Sequence, residues 1–304
     1  MSEFRINILG CGSATPSLRH LPSCQVIEYR GRLMMIDCGE GAQLSMRRQR
    51  LKFSRLTDVF ISHLHGDHFL GLPGLLSTLA LHEKTGSVTV HVFEEGAALI
   101  KQVLDMVCRE PSYEIKYNII DPRGGIIYDD HAITVEAFPL YHRVPAVGFK
   151  FVEKPKPRHL RGDMVRFFNV PVSRLQAIKA GEDFVTEDGR VIENARLTTD
   201  ATPSMSYAYC CDTAYDARVA ESVKGVDVIY HDATYADDRA GSAANRGHAT
   251  AREAARIARE AGAKQLILGH FSKSYLNEDA HLAQALEEFP NVIVANEGLT
   301  IDLI

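Results

Sequence analysis

Three histidines and an aspartate lie within six consecutive residues, directly after an apolar segment: His63, His65, Asp67 and His68. The apolar segment, residues 56–62, is rich enough in β-branched and aromatic side chains to predict a buried strand. Imidazole nitrogens and carboxylate oxygens are the ligands of catalytic zinc and similar divalent ions. Four candidate ligands exceed what one open catalytic ion takes from a single loop. The pattern therefore favours two adjacent ions over a histidine-rich surface loop.

Other candidate ligands follow other predicted strands. His142 comes just after residues 133–139, which alternate like a strand, so it occupies the same kind of position as His63. His270 follows the predicted strand at residues 265–268 in the same way. Asp212 ends the segment 206–211, although an acidic residue at a strand end is weak evidence by itself. A hydrogen-bonded surface histidine remains the alternative for His142.

The motif HLHGDH, residues 63–68, resembles the signature of the metallo-β-lactamase superfamily. Two further segments of the chain make the resemblance more specific. Residues 69–76 (FLGLPGLL) and residues 37–43 (DCGEGAQ) are similar to the ribonuclease Z family of tRNA 3′-processing endonucleases. The resemblance runs from Ile8 to the C-terminus, with interruptions in the middle of the chain.

The resemblance implies two metal ions per chain, most plausibly Zn²⁺ given the number of histidines, with Mn²⁺ or Fe²⁺ as alternatives. It places one ion on His63, His65 and His142, and the other on Asp67, His68 and His270. Asp212 would bridge the two ions. In the family the segment that holds Asp37 and Glu40 is scaffold, so neither carboxylate is predicted to be a ligand.

The resemblance also implies the acid–base groups. Asp67 would orient the attacking water and accept its proton. His248, oriented by Asp232, would protonate the leaving oxygen. The family has a glutamate where this chain has Asp232, so the backbone must lie closer to His248, or a water must mediate the hydrogen bond.

Alternating strand and helix patterns predict an α/β fold, and the resemblance makes it an αββα sandwich of two facing mixed sheets with outer helices. We predict one hydrolase domain over residues 1–304, with a protruding tRNA-binding arm inserted at about residues 152–203. Residues 150–179 carry eight Lys and Arg against two acidic residues, which is typical of a phosphate-contacting surface. This arm lacks the Pro-Gly-Pro-like step of the family at residues 169–174.

Composition limits the class of protein. The chain has 304 residues, 45% apolar residues and a formal net charge of −5, which argues against indiscriminate coating of nucleic acid. No apolar run approaches the 18 residues of a membrane span, and the N-terminus does not resemble a signal peptide. The six cysteines show no CxxC pairing, so reduced thiols in a cytoplasmic protein are expected.

These observations predict a zinc-dependent endoribonuclease that removes the 3′ trailer from precursor tRNA and leaves a tRNA 3′-hydroxyl. The resemblance further implies a homodimer. One alternative is a hydrolase of small esters on the same fold, such as an arylsulfatase or a cyclic-nucleotide phosphodiesterase, which would not need the arm. A scaffold protein on a dead hydrolase fold is the other alternative, and seven intact ligand positions argue against it.

Overall fold

A computed structural model describes residues 4–304, which form two compact units. The first contains the chain up to Asp129, together with Thr134–Phe151 and Met205–Ile304. The second contains Asp130–Ile133 and Val152–Ser204. The chain therefore enters the second unit twice, at residues 130–133 and again at residues 152–204.

One sheet of the first unit is built mainly from the N-terminal half of the chain. Its strands pair antiparallel at one side and parallel at the other. Within the described residues the spatial order is Thr300–Leu303, Phe4–Gly10, Cys24–Tyr29, Arg32–Ile36, Leu56–Phe60, Ser87–Val92 and Glu114–Ile119. The predicted strand at residues 56–62 thus lies in this sheet.

The other sheet is built mainly from the C-terminal half. Its last four strands in sequence run parallel, and its first pair runs antiparallel. The spatial order is Val292–Val294, Gln265–Gly269, Val228–Asp232, Ser206–Cys210, Val147–Glu153, Ile133–Pro139 and Gly125–Asp129. Both sheets are mixed, as predicted.

The two sheets pack face to face. Phe60 of the N-terminal sheet contacts Phe149 and Phe151 of the other, with ring centroids 5.6 and 5.4 Å apart. The buried hydroxyl of Tyr207 donates a hydrogen bond across the interface to Gln25. Burying aromatic side chains of this size is the largest single source of stability in such a core.

Helices cover the outer faces of the sheets. Those that pack on the N-terminal sheet bury leucines and Met46, and they lie at Ala42–Arg48, Leu72–Leu81 and Glu94–Val107. Ala251–Ala261 packs on the other sheet through a face of alanines and ends at Gly262 in a left-handed conformation. The remaining helices are Gly66–Phe69, Ala217–Ser222, Ala240–Arg246 and Asp279–Leu286, with 3-10 turns at Phe53–Arg55 and Asp237–Arg239. The αββα sandwich is confirmed.

The second unit has its own small core, formed by Val170, Ile178, Phe184, Ile192 and Leu197. Two short antiparallel strand pairs and three short helices surround this core. The strands are His159–Leu160 with Thr198–Thr199 and Phe184–Val185 with Val191–Ile192, and the helices are Gly162–Phe167, Leu175–Lys179 and Asn194–Leu197, with a 3-10 turn at Val172–Arg174.

The charge of the second unit differs from the prediction of a basic arm. Residues 152–204 contain nine Lys and Arg and eight Asp and Glu, because an acidic stretch follows the basic one. Several of the charges pair within the unit: Lys156 with Glu153 over 2.7 Å, and Arg158 with Asp200 over 3.0 Å. The basic character of the arm is therefore not confirmed.

Charged residues lie at the ends of two helices of the first unit. Helix Ala42–Arg48 carries Arg47 and Arg48 in its last turn. Helix Glu94–Val107 begins with two glutamates in its first turn, which complement the helix dipole. All six cysteines are free thiols, and five of them are buried. None of the helices within residues 4–304 has the length and apolar character needed to span a bilayer.

Candidate metal centre

Three imidazole nitrogens converge beyond the end of strand Leu56–Phe60. His65 Nδ1 lies 3.0 Å from His63 Nε2 and 3.2 Å from His142 Nε2. Asp212 Oδ2 lies 3.5 Å from His63 Nε2 and 3.6 Å from His142 Nε2. Zn–N bonds of about 2.0–2.1 Å place two nitrogen ligands of a tetrahedral ion roughly 3.3 Å apart. The spacing of these four donors therefore fits one divalent ion.

A second group of donors surrounds the other oxygen of Asp212. Asp212 Oδ1 lies 2.9 Å from His270 Nε2 and 3.3 Å from His68 Nε2. Asp67 Oδ2 lies 3.7 Å from His270 Nε2 and 3.5 Å from His68 Nε2. The structure thus brings all seven predicted ligands together in two adjacent groups, with one oxygen of Asp212 facing each group.

The rings are oriented by hydrogen bonds from their other nitrogens. Four histidines use Nδ1 in this way and leave Nε2 facing the donor groups, an arrangement typical of metal-ligating histidines. The acceptors lie 2.7–3.0 Å away: Ser62 Oγ for His63, Asp37 Oδ2 for His68, the Gly247 carbonyl for His142 and Thr234 Oγ1 for His270.

Asp37 supports this arrangement from beneath. It is fully buried, and its Oδ1 accepts a hydrogen bond from the Ser62 N–H over 2.8 Å. Its Oδ2 accepts from the Ser62 and Tyr209 hydroxyls over 2.9 and 2.8 Å, and from His68. Asp37 therefore lies behind the donor groups and is not one of the donors, in line with the scaffold role that the family resemblance implied. Ser62 and Tyr209 were not singled out from the sequence.

The chemistry of the donor set fits metal ions. Both His68 Nε2 and His270 Nε2 are buried and lack a hydrogen-bond partner among the described residues. His270 Nε2 is close to Asp212 Oδ1, but the ring N–H direction does not point at that oxygen. A buried imidazole nitrogen without a partner costs stability, so two that face the same carboxylate indicate a site suited to a cation.

The electrostatics lead to the same conclusion. Burial acts to lower the pKa of His270, but the Asp212 carboxylate outweighs it and raises that pKa to about 10. Burial acts likewise on His68, and Asp212 and Asp37 raise its pKa well above the usual value. The carboxylates thus stabilise positive charge beside His68 and His270, and protons or divalent cations can supply that charge.

Two of the candidate ligands, Asp212 and His270, lie at strand ends where the backbone makes an unusual turn. Asp212 and His270 follow parallel strands and have φ of 59° and 62°, in the left-handed region. A non-glycine residue there costs about 1–2 kcal/mol, and such strain concentrates at functional sites. The turn directs both side chains back over the ends of the sheet.

His248 lies beside the donor groups and contacts Asp232 directly. His248 Nδ1 donates a hydrogen bond to Asp232 Oδ2 over 2.8 Å. Asp232 is fully buried, and its other oxygen accepts from the N–H and hydroxyl of Thr234 over 2.8 and 2.7 Å. Because Thr234 also accepts from His270, Asp232 supports both His248 and a candidate ligand.

Cys211 is a further neighbour that the sequence did not suggest. Its thiol is buried and lies 3.3 Å from Asp212 Oδ1, within the second donor group. Burial raises the pKa of this thiol well above its usual value. Cys211 is therefore a neutral hydrogen-bond donor to Asp212.

A cavity of about 380 Å³ opens over the two donor groups. Its lining includes Ala14 and two arginines that sequence reasoning did not single out as site residues, Arg143 and Arg246. The backbone N–H of Ala14 donates to Asp67 Oδ2 over 2.7 Å, so the loop after the first strand fixes this carboxylate. The other lining residues are His65, Asp67, His142, Asp212, His248 and His270.

Two family models match parts of the chain. Residues 4–116 match the model described as Anti-Pycsar protein Apyc1, and residues 168–271 match the model described as Beta-lactamase superfamily domain. The chain is also similar along its full length to two curated proteins, each named Ribonuclease Z, from Parabacteroides distasonis and Bacteroides fragilis. Each is 46% identical over 304 residues, which cover 100% of this chain and 100% of the relative.

Among solved structures, the chain resembles the human tRNase Z, short form. The superposition has a TM-score of 0.70 at 24% sequence identity and covers 99% of this chain and 100% of the human one. At that identity the likeness shows the fold. The sequence relatives carry the family assignment.

Proposed function

The chain belongs to the ribonuclease Z family, and on that premise we propose that it is a metal-dependent endonuclease that removes the 3′ trailer from precursor tRNA. The observation that carries the proposal is the pair of donor groups around Asp212, with His248 beside them. A phosphodiester that enters the cavity above these groups meets both a proton acceptor, Asp67, and a proton donor, His248.

Two divalent ions, Zn²⁺ by preference, would be held by these residues. His63, His65 and His142 would bind one ion, and Asp67, His68 and His270 the other. Asp212 would bind both. The ions supply Lewis-acid chemistry, since they acidify water and neutralise negative charge on phosphoryl oxygens.

Asp67 orients the attacking water and accepts its proton. The hydrogen bond from the Ala14 N–H fixes one oxygen of this carboxylate. Burial acts to raise the pKa of Asp67, but His270 and His68 hold it well below its usual range. The carboxylate is therefore ionised, which is the form that a proton acceptor must have before water attacks phosphorus.

His248 donates a proton to the leaving oxygen. The hydrogen bond to Asp232 fixes Nδ1 as the donor to the carboxylate, which leaves Nε2 for the substrate. The pKa of Asp232 is lowered, against the effect of burial, by the charge of His248. The buried carboxylate thereby holds the ring in the orientation from which Nε2 can give a proton to the 3′-oxygen.

The atoms balance in a single hydrolysis. The water oxygen forms a bond to phosphorus, and the bond from phosphorus to the 3′-oxygen breaks. One water proton goes to Asp67, and the proton of His248 goes to the 3′-oxygen. The products are a tRNA with a 3′-hydroxyl and a trailer with a 5′-phosphate.

We further propose that the second unit, at about residues 152–203, is the tRNA-binding arm of a cytoplasmic homodimer. Support comes from its separate core and from the position of the insertion between two strands of one sheet. Its balanced charge means that binding there would rest on individual side chains. Phe167 is 72% exposed and sits next to the exposed Arg166, a combination suited to RNA.

The test compares two substrates. Metal-loaded protein should process labelled precursor tRNA, and a chelator should abolish the activity. Elemental analysis should find about two transition-metal ions per chain. If the protein hydrolysed bis(p-nitrophenyl) phosphate but left precursor tRNA uncut, the small-ester hydrolase would replace this proposal. If it cleaved neither substrate, the scaffold alternative would hold.

A further inference from the structure

Two arginines line the cavity, and the reaction described above assigns no role to either. Arg143 directly follows His142, and Arg246 lies two residues before His248. Both side chains are exposed to solvent. Each therefore extends from a residue that flanks the reacting groups toward the mouth of the cavity.

The two arginine-bearing segments are held against each other. His142 Nδ1 donates to the Gly247 carbonyl over 2.8 Å, which ties the residue before Arg143 to the residue after Arg246. The approach is close, because a Cβ on Gly247 would lie 2.9 Å from His142 Nδ1 and 3.3 Å from the Arg143 nitrogen. Gly247 also has a φ of 74°, which favours glycine. The backbone segments that carry Arg143 and Arg246 are therefore held together at the cavity.

Among the described residues, neither guanidinium is neutralised by a carboxylate. Within residues 4–304, no carboxylate forms an ion pair with Arg143 or Arg246, although many other arginines of the chain are paired. Arg246 is positioned by a hydrogen bond from Nη1 to the Tyr235 hydroxyl over 3.1 Å. Both arginines thus bring positive charge to the cavity in a chain whose formal net charge is −5.

We propose that Arg143 and Arg246 bind the phosphates that flank the scissile one, and so position the RNA strand across the cavity. This inference rests on the proposed function and adds a substrate-positioning site to it. Guanidinium groups bind phosphate oxygens through two parallel hydrogen bonds, which fixes the direction of the strand as well as its distance. Phosphate contacts of this kind set register without reading sequence, which suits an enzyme that accepts many tRNAs.

The proposal predicts that loss of either arginine affects a long RNA substrate more than a small phosphodiester. A precursor tRNA has phosphates on both sides of the scissile bond, whereas bis(p-nitrophenyl) phosphate has none. Losing a charge-assisted hydrogen bond to a flanking phosphate should therefore cost about ten- to one-hundredfold in kcat/KM on precursor tRNA. The loss on the small diester should be at least tenfold smaller.

The experiment uses Arg143→Ala, Arg246→Ala and Arg109→Ala in the metal-loaded full chain. Arg109 is the matched control, since it is an exposed arginine that lies outside the cavity lining. For precursor tRNA, the slope of log affinity against log salt should fall by about 0.7 for each cavity arginine removed. Arg143→Lys and Arg246→Lys should keep the salt dependence of the affinity but lose part of the kcat/KM. Lysine keeps the positive charge but cannot make two parallel hydrogen bonds to a phosphate as the planar guanidinium does.

Equal losses on both substrates, or a loss with Arg109→Ala as large as those at the cavity, would overturn the inference. So would arginine variants that process precursor tRNA as well as the unsubstituted chain does. If the unsubstituted, metal-loaded chain itself left precursor tRNA uncut, the proposed function would fail instead. The behaviour of the unsubstituted chain thus distinguishes the two failures.

Discussion

His248 Nδ1 donates a hydrogen bond of 2.8 Å directly to Asp232 Oδ2, with no water between them. The sequence left open whether the short aspartate side chain reaches this histidine or needs a bridging water. The direct contact arises because Asp232 ends its strand fully buried beneath His248. The aspartate therefore orients His248 from close range and also supports His270 through Thr234.

His248→Ala should lower the turnover of precursor tRNA by about 10²–10⁴-fold, the usual contribution of general acid catalysis. Asp232→Asn keeps the shape of the side chain and should cause a loss in the same range, because the tautomer of His248 is no longer fixed. The double variant should be little worse than either single one, since the pair acts as a unit. Single-turnover kinetics measures all three losses.

A leaving group that needs no proton provides the control for the acid. With a nitrophenyl phosphodiester, the losses caused by His248→Ala and Asp232→Asn should shrink markedly. Metal content should stay unchanged in both variants. Equal losses on both substrates would show that His248 is not the proton donor.

Asp67→Ala should remove nearly all cleavage, because it deletes both a metal ligand and the proton acceptor. The variant should stay folded, since the Asp67 side chain lines the cavity and lies outside the hydrophobic core. Glu40→Ala is the matched control: Glu40 is an exposed carboxylate in the neighbouring loop that was excluded as a ligand. Near-normal turnover in Asp67→Ala, measured on either substrate, would require a different base.

Removing the second unit should separate tRNA recognition from chemistry. Ser204 Oγ donates to the Lys154 carbonyl over 3.0 Å, so a short Gly-Ser link can replace residues 155–203 without stretching the chain. The KM for precursor tRNA should rise at least tenfold, and hydrolysis of the small diester should survive. Unchanged processing of precursor tRNA would mean that the unit is not a tRNA-binding arm.

His20 links the loop of Ala14 to the C-terminal part of the chain, and it should make stability depend on pH. His20 Nδ1 lies 3.0 Å from Glu297 and Nε2 lies 3.3 Å from Glu278. Burial acts to lower the pKa of His20, but Glu297 and Glu278 outweigh it and raise that pKa. The folded state therefore binds this proton more tightly than the unfolded state.

The resulting stabilisation is fully present below the unfolded pKa of about 6.5 and is lost as pH rises through the folded pKa of His20. Urea unfolding at a series of pH values should show this decline. His20→Gln should flatten the curve in that window. An identical pH dependence in the variant would assign the decline to other groups.

The ligands were predictable because their signal is local. His63, His65, Asp67 and His68 occur in one loop, and His142 and His270 each follow a strand that alternation or apolarity reveals. Asp212 and His270 follow parallel strands of one sheet, so their carboxyl ends lie at one edge, whereas the loop of His63 belongs to the other sheet. The facing of the two sheets was implied by the family resemblance and not by the local patterns.

The missed features depend on contacts between distant segments. Arg143 and Arg246 are 103 positions apart in the chain and meet only because His142 binds the Gly247 carbonyl. The role of Thr234 arises from packing against Asp232 and His270. The second unit looked basic because its acidic residues come later in the sequence and pair only after folding.

The chemical groups at the two cut ends of the RNA provide the most direct test of metal-dependent hydrolysis by this site. A precursor tRNA labelled at both ends should give a mature-length tRNA with a 3′-hydroxyl and a trailer with a 5′-phosphate, as read by mass spectrometry. A chelator should abolish both products, and added Zn²⁺ should restore them. A 2′,3′-cyclic phosphate on the tRNA, or cleavage that persists with the chelator, would contradict metal-dependent hydrolysis by this site.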